Sequence, residues 1–135
     1  MKKGFTLVEI MIVVAIIALL AAIAIPNLLR ARLNANDSAA KATLQTLVTA
    51  IESYAAANGA YPTAESDLTG ANPRYLNESL CDKTKHGYKF TCTWSTDGTS
   101  YTVSATAANC GTTGSKTYTV TTGNVWTTAD CSSSS

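Results

Sequence analysis

The chain changes its hydrophobic pattern twice. From Ile10 to Ile25 no position carries a charged or strongly polar side chain, so a helix here is apolar on every side. Taken from Phe5 to Ile25, such a helix extends about 30 Å at about 1.5 Å per residue, which matches the hydrocarbon thickness of a bilayer. Beyond Pro26 the apolar positions become one-sided: Leu33, Ala40, Leu44, Leu47, Ile51 and Tyr54 recur at helical spacing, with polar or small residues between them. This stripe predicts an amphipathic helix over 27–58 packed on its own domain. Asn58-Gly59 supplies a helix stop, and Tyr61-Pro62 prevents continuation. Pro26 removes one backbone donor and crowds the preceding turn, so the pattern predicts softening around Ala22–Pro26 rather than a break. Phe5 to Asn58 is then one helix of about 80 Å.

After Asn58 the pattern turns irregular and then alternates. The stretch 59–86 scatters Pro62, Gly70 and Pro73 among polar residues and reads as a connecting loop with a short helical turn. In GYKFTCTW, Tyr88, Phe90, Cys92 and Trp94 share one face and Lys89, Thr91 and Thr93 the other. The TDG turn joins this strand to YTVSATA, and a second pair, KTYTV and NVWTT, joins across Thr121 to Gly123. The fold class is α+β: a long N-terminal helix whose second half packs on an antiparallel sheet of about four strands within 87–135. The terminal SSSS reads as a flexible tail.

At 135 residues the chain suits one domain, with ten Lys and Arg against nine Asp and Glu. That balance, without a basic stripe, argues against direct nucleic-acid binding. Lys2 and Lys3 before the apolar run and Arg30 and Arg32 after it nearly tie for topology, with a slight preference for the N-terminus in the cytoplasm. The four cysteines, Cys81, Cys92, Cys110 and Cys131, all follow the apolar segment in a Thr/Ser-rich region. This predicts disulfides in an oxidising compartment; a zinc site is disfavoured because the spacings contain no close pair. Cys92 lies on the apolar strand face, which favours Cys81–Cys92 and Cys110–Cys131 among the three pairings that four cysteines permit.

No catalytic set is present: His86 is the single histidine, its neighbours are lysines, and no Ser or Cys stands in a nucleophile motif. The chain reads as a non-enzyme without cofactor or metal. Asn36-Asp37-Ser38 and Asn77-Glu78-Ser79 match a glycosylation sequon, a pattern too short to carry weight alone. One residue breaks the logic of the apolar run. Glu9 places a carboxylate where lipid should be, at a cost of about 3 kcal/mol unless it finds a partner.

The residues around that acid, Gly4, Phe5, Thr6, Leu7 and Glu9, followed by the apolar helix, resemble the type IV prepilin family. The later NGAYPTAESDL and the small sheet look like the globular half of type IVa pilins and of type II secretion pseudopilins. The resemblance implies that a membrane aspartic peptidase cuts between Gly4 and Phe5, removing residues 1–4, and that the Phe5 amine is methylated. It further implies that residues 5–26 form the transmembrane and filament-core helix and 27–135 the globular pilin domain. In this picture Glu9 of one subunit neutralises the Phe5 amine of the next, while a pairing with the subunit's own amine is the competing reading. Pro26 resembles the family's helix-softening proline, and Ala15, Ala18, Ala21, Ala22 and Ala24 permit close helix approach.

The implied function is that of a structural subunit, a major pilin polymerising with copies of itself into a surface filament. It would pass through the inner membrane first and engage the prepilin peptidase and the pilus assembly machinery. A type II secretion pseudopilin forming a periplasmic pseudopilus is the nearest alternative. The singly scattered Asp82, Asp97 and Asp130 lack the clustered oxygen ligands of a calcium loop, which leans the reading toward a pilin. Two further alternatives are an ordinary secreted domain cleaved after Ala24 and a membrane-anchored binding domain that never polymerises.

Overall fold

The computed structural model describes residues 4–132; Met1–Lys3, which form most of the expected leader, and Ser133–Ser135 lie outside the described residues. Helix α1 (Leu7–Asn58) contains 52 residues and continues through Pro26 without interruption. The chain divides into two units, one ending at Arg32 and one starting at Leu33.

In the first unit, α1 is apolar around its whole circumference. Its large side chains are exposed, from Leu7 at 76 % to Leu29 at 59 %, and the most apolar window has a mean hydropathy of 3.0 with none of it buried. By length and composition this segment can cross a membrane.

In the second unit the helix becomes one-sided. Ala40, Leu44, Leu47, Val48 and Ile51 are fully buried along one face, at the steps of three and four that align side chains on a helix. They pack against Tyr88, Phe90, Tyr101, Val103, Ala105 and Val120 of the sheet, with Leu68, Leu76 and Leu80 closing the core from the connecting segment. Tyr54 and Trp126 lie at the edge of this core, partly buried.

The sheet is an antiparallel meander, β1 (Thr84–Lys85), β2 (Tyr88–Trp94), β3 (Tyr101–Ala107), β4 (Lys116–Thr121) and β5 (Val125–Asp130), paired in chain order. Registers such as Phe90 opposite Ala105 and Ala105 opposite Tyr118 bring apolar residues onto the inner face. The alternate positions, Thr91, Ser104, Thr119 and Thr127, form an outer row of hydroxyls across four strands. The Thr/Ser-rich composition of the C-terminal half is therefore the outer face of a sheet.

The sheet has one strand more than the pattern predicts. The segment read as a loop over 59–86 contains a short helix, α2 (Ser66–Thr69), and also β1. β1 pairs with β2 across His86-Gly87, whose φ values of 54° and 76° meet the requirement of a two-residue hairpin turn for two positive φ angles. Two residues are too few for alternation to register, so only the turn dipeptide could have revealed the strand.

Two disulfides tie down the irregular segments. Cys81–Cys92 joins the chain before β1 to the middle of β2, and Cys110–Cys131 closes the β3–β4 connection onto the residue after β5. Removing a fully buried leucine should test the core directly: Leu47→Ala is expected to cost about 3 kcal/mol, whereas the exposed Thr49→Ala changes stability by about 0.5 kcal/mol or less. Denaturant titration of the full chain in detergent, followed by tryptophan fluorescence, checks both values.

Candidate functional site

The start of α1 is built by Thr6 and Glu9. The Thr6 hydroxyl accepts a hydrogen bond from the Glu9 amide at 3.2 Å, and the Glu9 carboxylate accepts one from the Thr6 amide at 2.9 Å. This reciprocal arrangement is a capping box, and it satisfies two amides that the first helical turn leaves without partners. Glu9 also lies in the first turn, where the helix dipole favours an anion. Only Oε2 of the carboxylate is engaged, so Oε1 keeps its acceptor capacity. Phe5 precedes the cap with its side chain 86 % exposed, and Gly4 has open space around its Cα. The site therefore presents a peptide bond between Gly4 and Phe5 outside any regular element, followed by an anion at the helix entrance.

A second carboxylate organises the globular unit. Asp37, 8 % exposed, is the buried acid of α1. Tyr88 of β2 donates its hydroxyl to Asp37 Oδ1, the Ser115 amide donates to the same oxygen at 2.9 Å, and the Ser115 hydroxyl donates to Oδ2. The Lys116 amide in turn donates to the Tyr88 hydroxyl at 3.2 Å. One helix turn position thus holds β2 and the start of β4 together. Burial alone would raise the Asp37 pKa. The hydrogen bonds from the Ser115 hydroxyl, the Tyr88 hydroxyl and the Ser115 amide, aided by the Lys116 charge, overcome it and hold the carboxyl below its ordinary value. The same contact acts on Tyr88, whose pKa is pushed up by burial and by donating to an anion. Gly114 allows this geometry, because a Cβ there would stand 2.4 Å from the Tyr88 ring.

Two further acids serve as internal acceptors. Glu65 receives the Leu80 and Cys81 amides and the Ser79 hydroxyl, fixing the approach to the first disulfide. Glu52 of α1 receives the Tyr101 hydroxyl at 2.7 Å.

Residues 1–25 match the family model described as the prokaryotic N-terminal methylation motif. Over these residues the chain carries that methylation motif. The prepilin resemblance extends into the relatives. The chain is 50 % identical over 66 residues to the type IV wide pilus major component PilA4 of Thermus thermophilus, covering 49 % of this chain and 50 % of the relative. It is 42 % identical over 73 residues to the type IV major pilin protein PilA of Myxococcus xanthus, covering 54 % of this chain and 33 % of the relative. It is also 33 % identical over 87 residues to the type II secretion system core protein G of Vibrio cholerae, covering 64 % of this chain and 60 % of the relative. The chain spans about half the length of the curated relatives it matches. The relatives' names describe pilus and secretion-system components, and the α+β architecture of helix and sheet is pilin-like.

The prepilin residues singled out in the sequence are distributed as follows. Gly4, Phe5 and Glu9 lie within the first helical turn or just before it, with the Glu9 carboxylate on Thr6. Pro26 sits inside continuous helix, and the four cysteines form the two disulfides. Of the two sequons, Asn36 donates its side-chain amide to the Thr113 carbonyl at 2.9 Å, while Asn77 is exposed. Sequence reasoning missed the capping role of Thr6, although Thr6-Leu7-Val8-Glu9 fits the capping-box pattern of Thr followed three residues later by Glu. It also missed Asp37, whose partners lie 51 and 78 residues away and leave no local trace.

The two arms of this network predict a plateau in stability. Asp37 has a lowered folded pKa, so its contribution is present above the unfolded value of about 3.9 and is lost as pH falls through the folded value. Tyr88 has a raised folded pKa, so its contribution is present below about pH 10 and is lost as pH rises beyond it. Asp37→Asn is expected to cost about 2 kcal/mol at neutral pH and to flatten the acid limb, and Tyr88→Phe to flatten the alkaline one. Thermal unfolding of the full chain in detergent across pH measures both limbs.

Proposed function

We propose that the chain is the major structural subunit of a type IV pilus. On this reading a prepilin peptidase removes residues 1–4, the new Phe5 amine is methylated, and the protein waits in the inner membrane through its apolar helix before joining a helical homopolymer at the cell surface. The observation that carries the proposal is the methylation motif over residues 1–25 leading into a helix whose large apolar side chains from Leu7 to Leu29 are exposed. Such a surface suits lipid first and a bundle of like helices afterwards. The role is structural and uses no catalytic group.

Glu9 links the two states. In an apolar surrounding its charge is costly, and the Phe5 amine exists only after cleavage. The capping box leaves one carboxylate oxygen for that amine, on the next copy, so unpaired charge penalises the isolated subunit and ordered stacking relieves it. Pro26 removes the amide that would bond the Ala22 carbonyl, which supports the proposal that α1 stretches or bends there on entering the bundle.

A pseudopilin of type II secretion is the second reading, favoured by relatives named type II secretion system core protein G. The pilus relatives match at the higher identities, 50 % and 42 % against 33 % for the Vibrio cholerae protein. Imaging filaments sheared from cells distinguishes the two, because a pseudopilus remains periplasmic.

Mass spectrometry of the mature protein is expected to find methylated Phe5 at the N-terminus; a start at Ile25 would overturn the pilin reading. Glu9→Ala is expected to lower filament yield about tenfold or more while the membrane-bound level of the subunit is unchanged, as immunoblotting of both fractions checks.

A further inference from the structure

The acids of the second unit are almost all occupied internally. Tyr101 donates to Glu52, Ser79 to Glu65, Thr63 to Asp67, Thr99 to Asp97, and lysines pair with Glu78 and Asp130. With Asp37 bound as described, Asp82 alone among the described acids of this unit has neither a side-chain hydrogen bond nor an ion pair. It is exposed, yet its backbone is fixed: the Asp82 amide donates to the Phe90 carbonyl at 2.8 Å, and the neighbouring Cys81 is bonded to Cys92. Its φ of 61° is left-handed, a conformation that Asp tolerates better than most residues.

Complementary charges stand unpaired in the first unit. Arg30 and Arg32 are exposed and make no ion pair among the described residues. The positions three and four residues from each hold no acid, so the helix offers them no local partner. They follow directly on the segment that leaves lipid when helices bundle. A guanidinium that loses water on assembly needs a carboxylate, and Arg presents the paired donors that fit one. Lys41, Arg74, Lys83 and Lys89 are also without ion pairs among the described residues, but they are surface cations of the globular unit, where a pair contributes little.

We propose that Asp82 of one copy pairs with Arg30 or Arg32 of a neighbouring copy in the filament, a second charge contact besides Glu9 and Phe5 that fixes how the globular unit of one subunit seats on the helix of another. This rests on the pilus reading.

Charge exchange in the full-length protein tests the pair. Asp82→Lys is expected to lower the yield of sheared filaments about tenfold, with Asp82→Asn intermediate, while membrane level and disulfide content match wild type. Adding Arg30→Glu or Arg32→Glu to Asp82→Lys is expected to restore filaments to within about threefold of wild type, a rescue that a merely structural role would not give. Wild-type yield from Asp82→Lys, or a defect that neither arginine reversal rescues, overturns the pair. So does loss of the precursor from the membrane in the arginine variants, which would assign those side chains to lipid headgroups. Absence of filaments from wild-type cells sinks the pilus reading itself, and this pair with it.

Discussion

From Leu7 to Leu29, helix α1 meets its surroundings with apolar side chains on every side, and among the described residues its first unit provides nothing to cover them. Exposed to water, that area would be unfavourable by tens of kcal/mol at about 25 cal/mol per Å². The segment therefore requires an environment that the chain does not itself contain. Lipid satisfies it without any specific contact, and a bundle of identical helices satisfies it by close packing of small residues. Much else follows from this requirement. The helix entrance must be capped without water, which Thr6 and Glu9 achieve reciprocally, and a charge near the apolar run must have a partner in each environment.

The same helix then has to serve as one wall of a small water-soluble core. The transition occurs where the apolar residues narrow from a full circumference to the stripe of Ala40, Leu44, Leu47, Val48 and Ile51. Asp37 stands one turn before that stripe. It receives donors from β2 and from the start of β4, so a polar contact defines where the sheet sits along the helix before the non-directional packing begins. Hydrophobic burial alone tolerates sliding by a turn, because leucines repeat at the same spacing. A buried carboxylate with three donors does not, since any shift would leave it desolvated and unpaired. Small domains bury too little surface to spare such contacts, and the two disulfides supplement them at the irregular segments.

Legibility in the sequence followed the range of each interaction. Helix α1, its end at Asn58 and the β2–β3 and β4–β5 hairpins depend on periodicity and turn residues that lie within a few positions of one another. The inward set of Tyr88 and Phe90 was readable for the same reason. β1 was not, because two residues carry no period and the His86-Gly87 turn is an uncommon version of its type. Asp37 read as the middle of a sequon, and Glu65 read as a polar loop residue. Each acquires its role from donors far along the chain, Ser115 for one and Leu80 for the other. At the N-terminus the motif residues were legible as a family resemblance, while the capping geometry that explains the spacing of Thr6 and Glu9 required coordinates.

The carboxylates of this chain divide by what they bind, and the division bears on assembly. Those that accept hydrogen bonds within the globular unit, such as Asp37, Glu52 and Glu65, are consumed in holding the fold and offer little to a partner. Glu9 and Asp82 differ in kind. Among the described residues Glu9 uses a single carboxylate oxygen in its cap and Asp82 uses none, although the backbone amide of each is held by a hydrogen bond. A polymer made from one chain must find both halves of each contact on the same molecule. On the proposed reading, the Phe5 amine that leader removal would create, and Arg30 and Arg32 farther along, are the cations that would complement these two acids. Charge pairs of this sort add specificity more than adhesion. Apolar helices pack in many registers at similar energy, and two charge contacts set apart along each subunit would leave one register in which every acid has its cation.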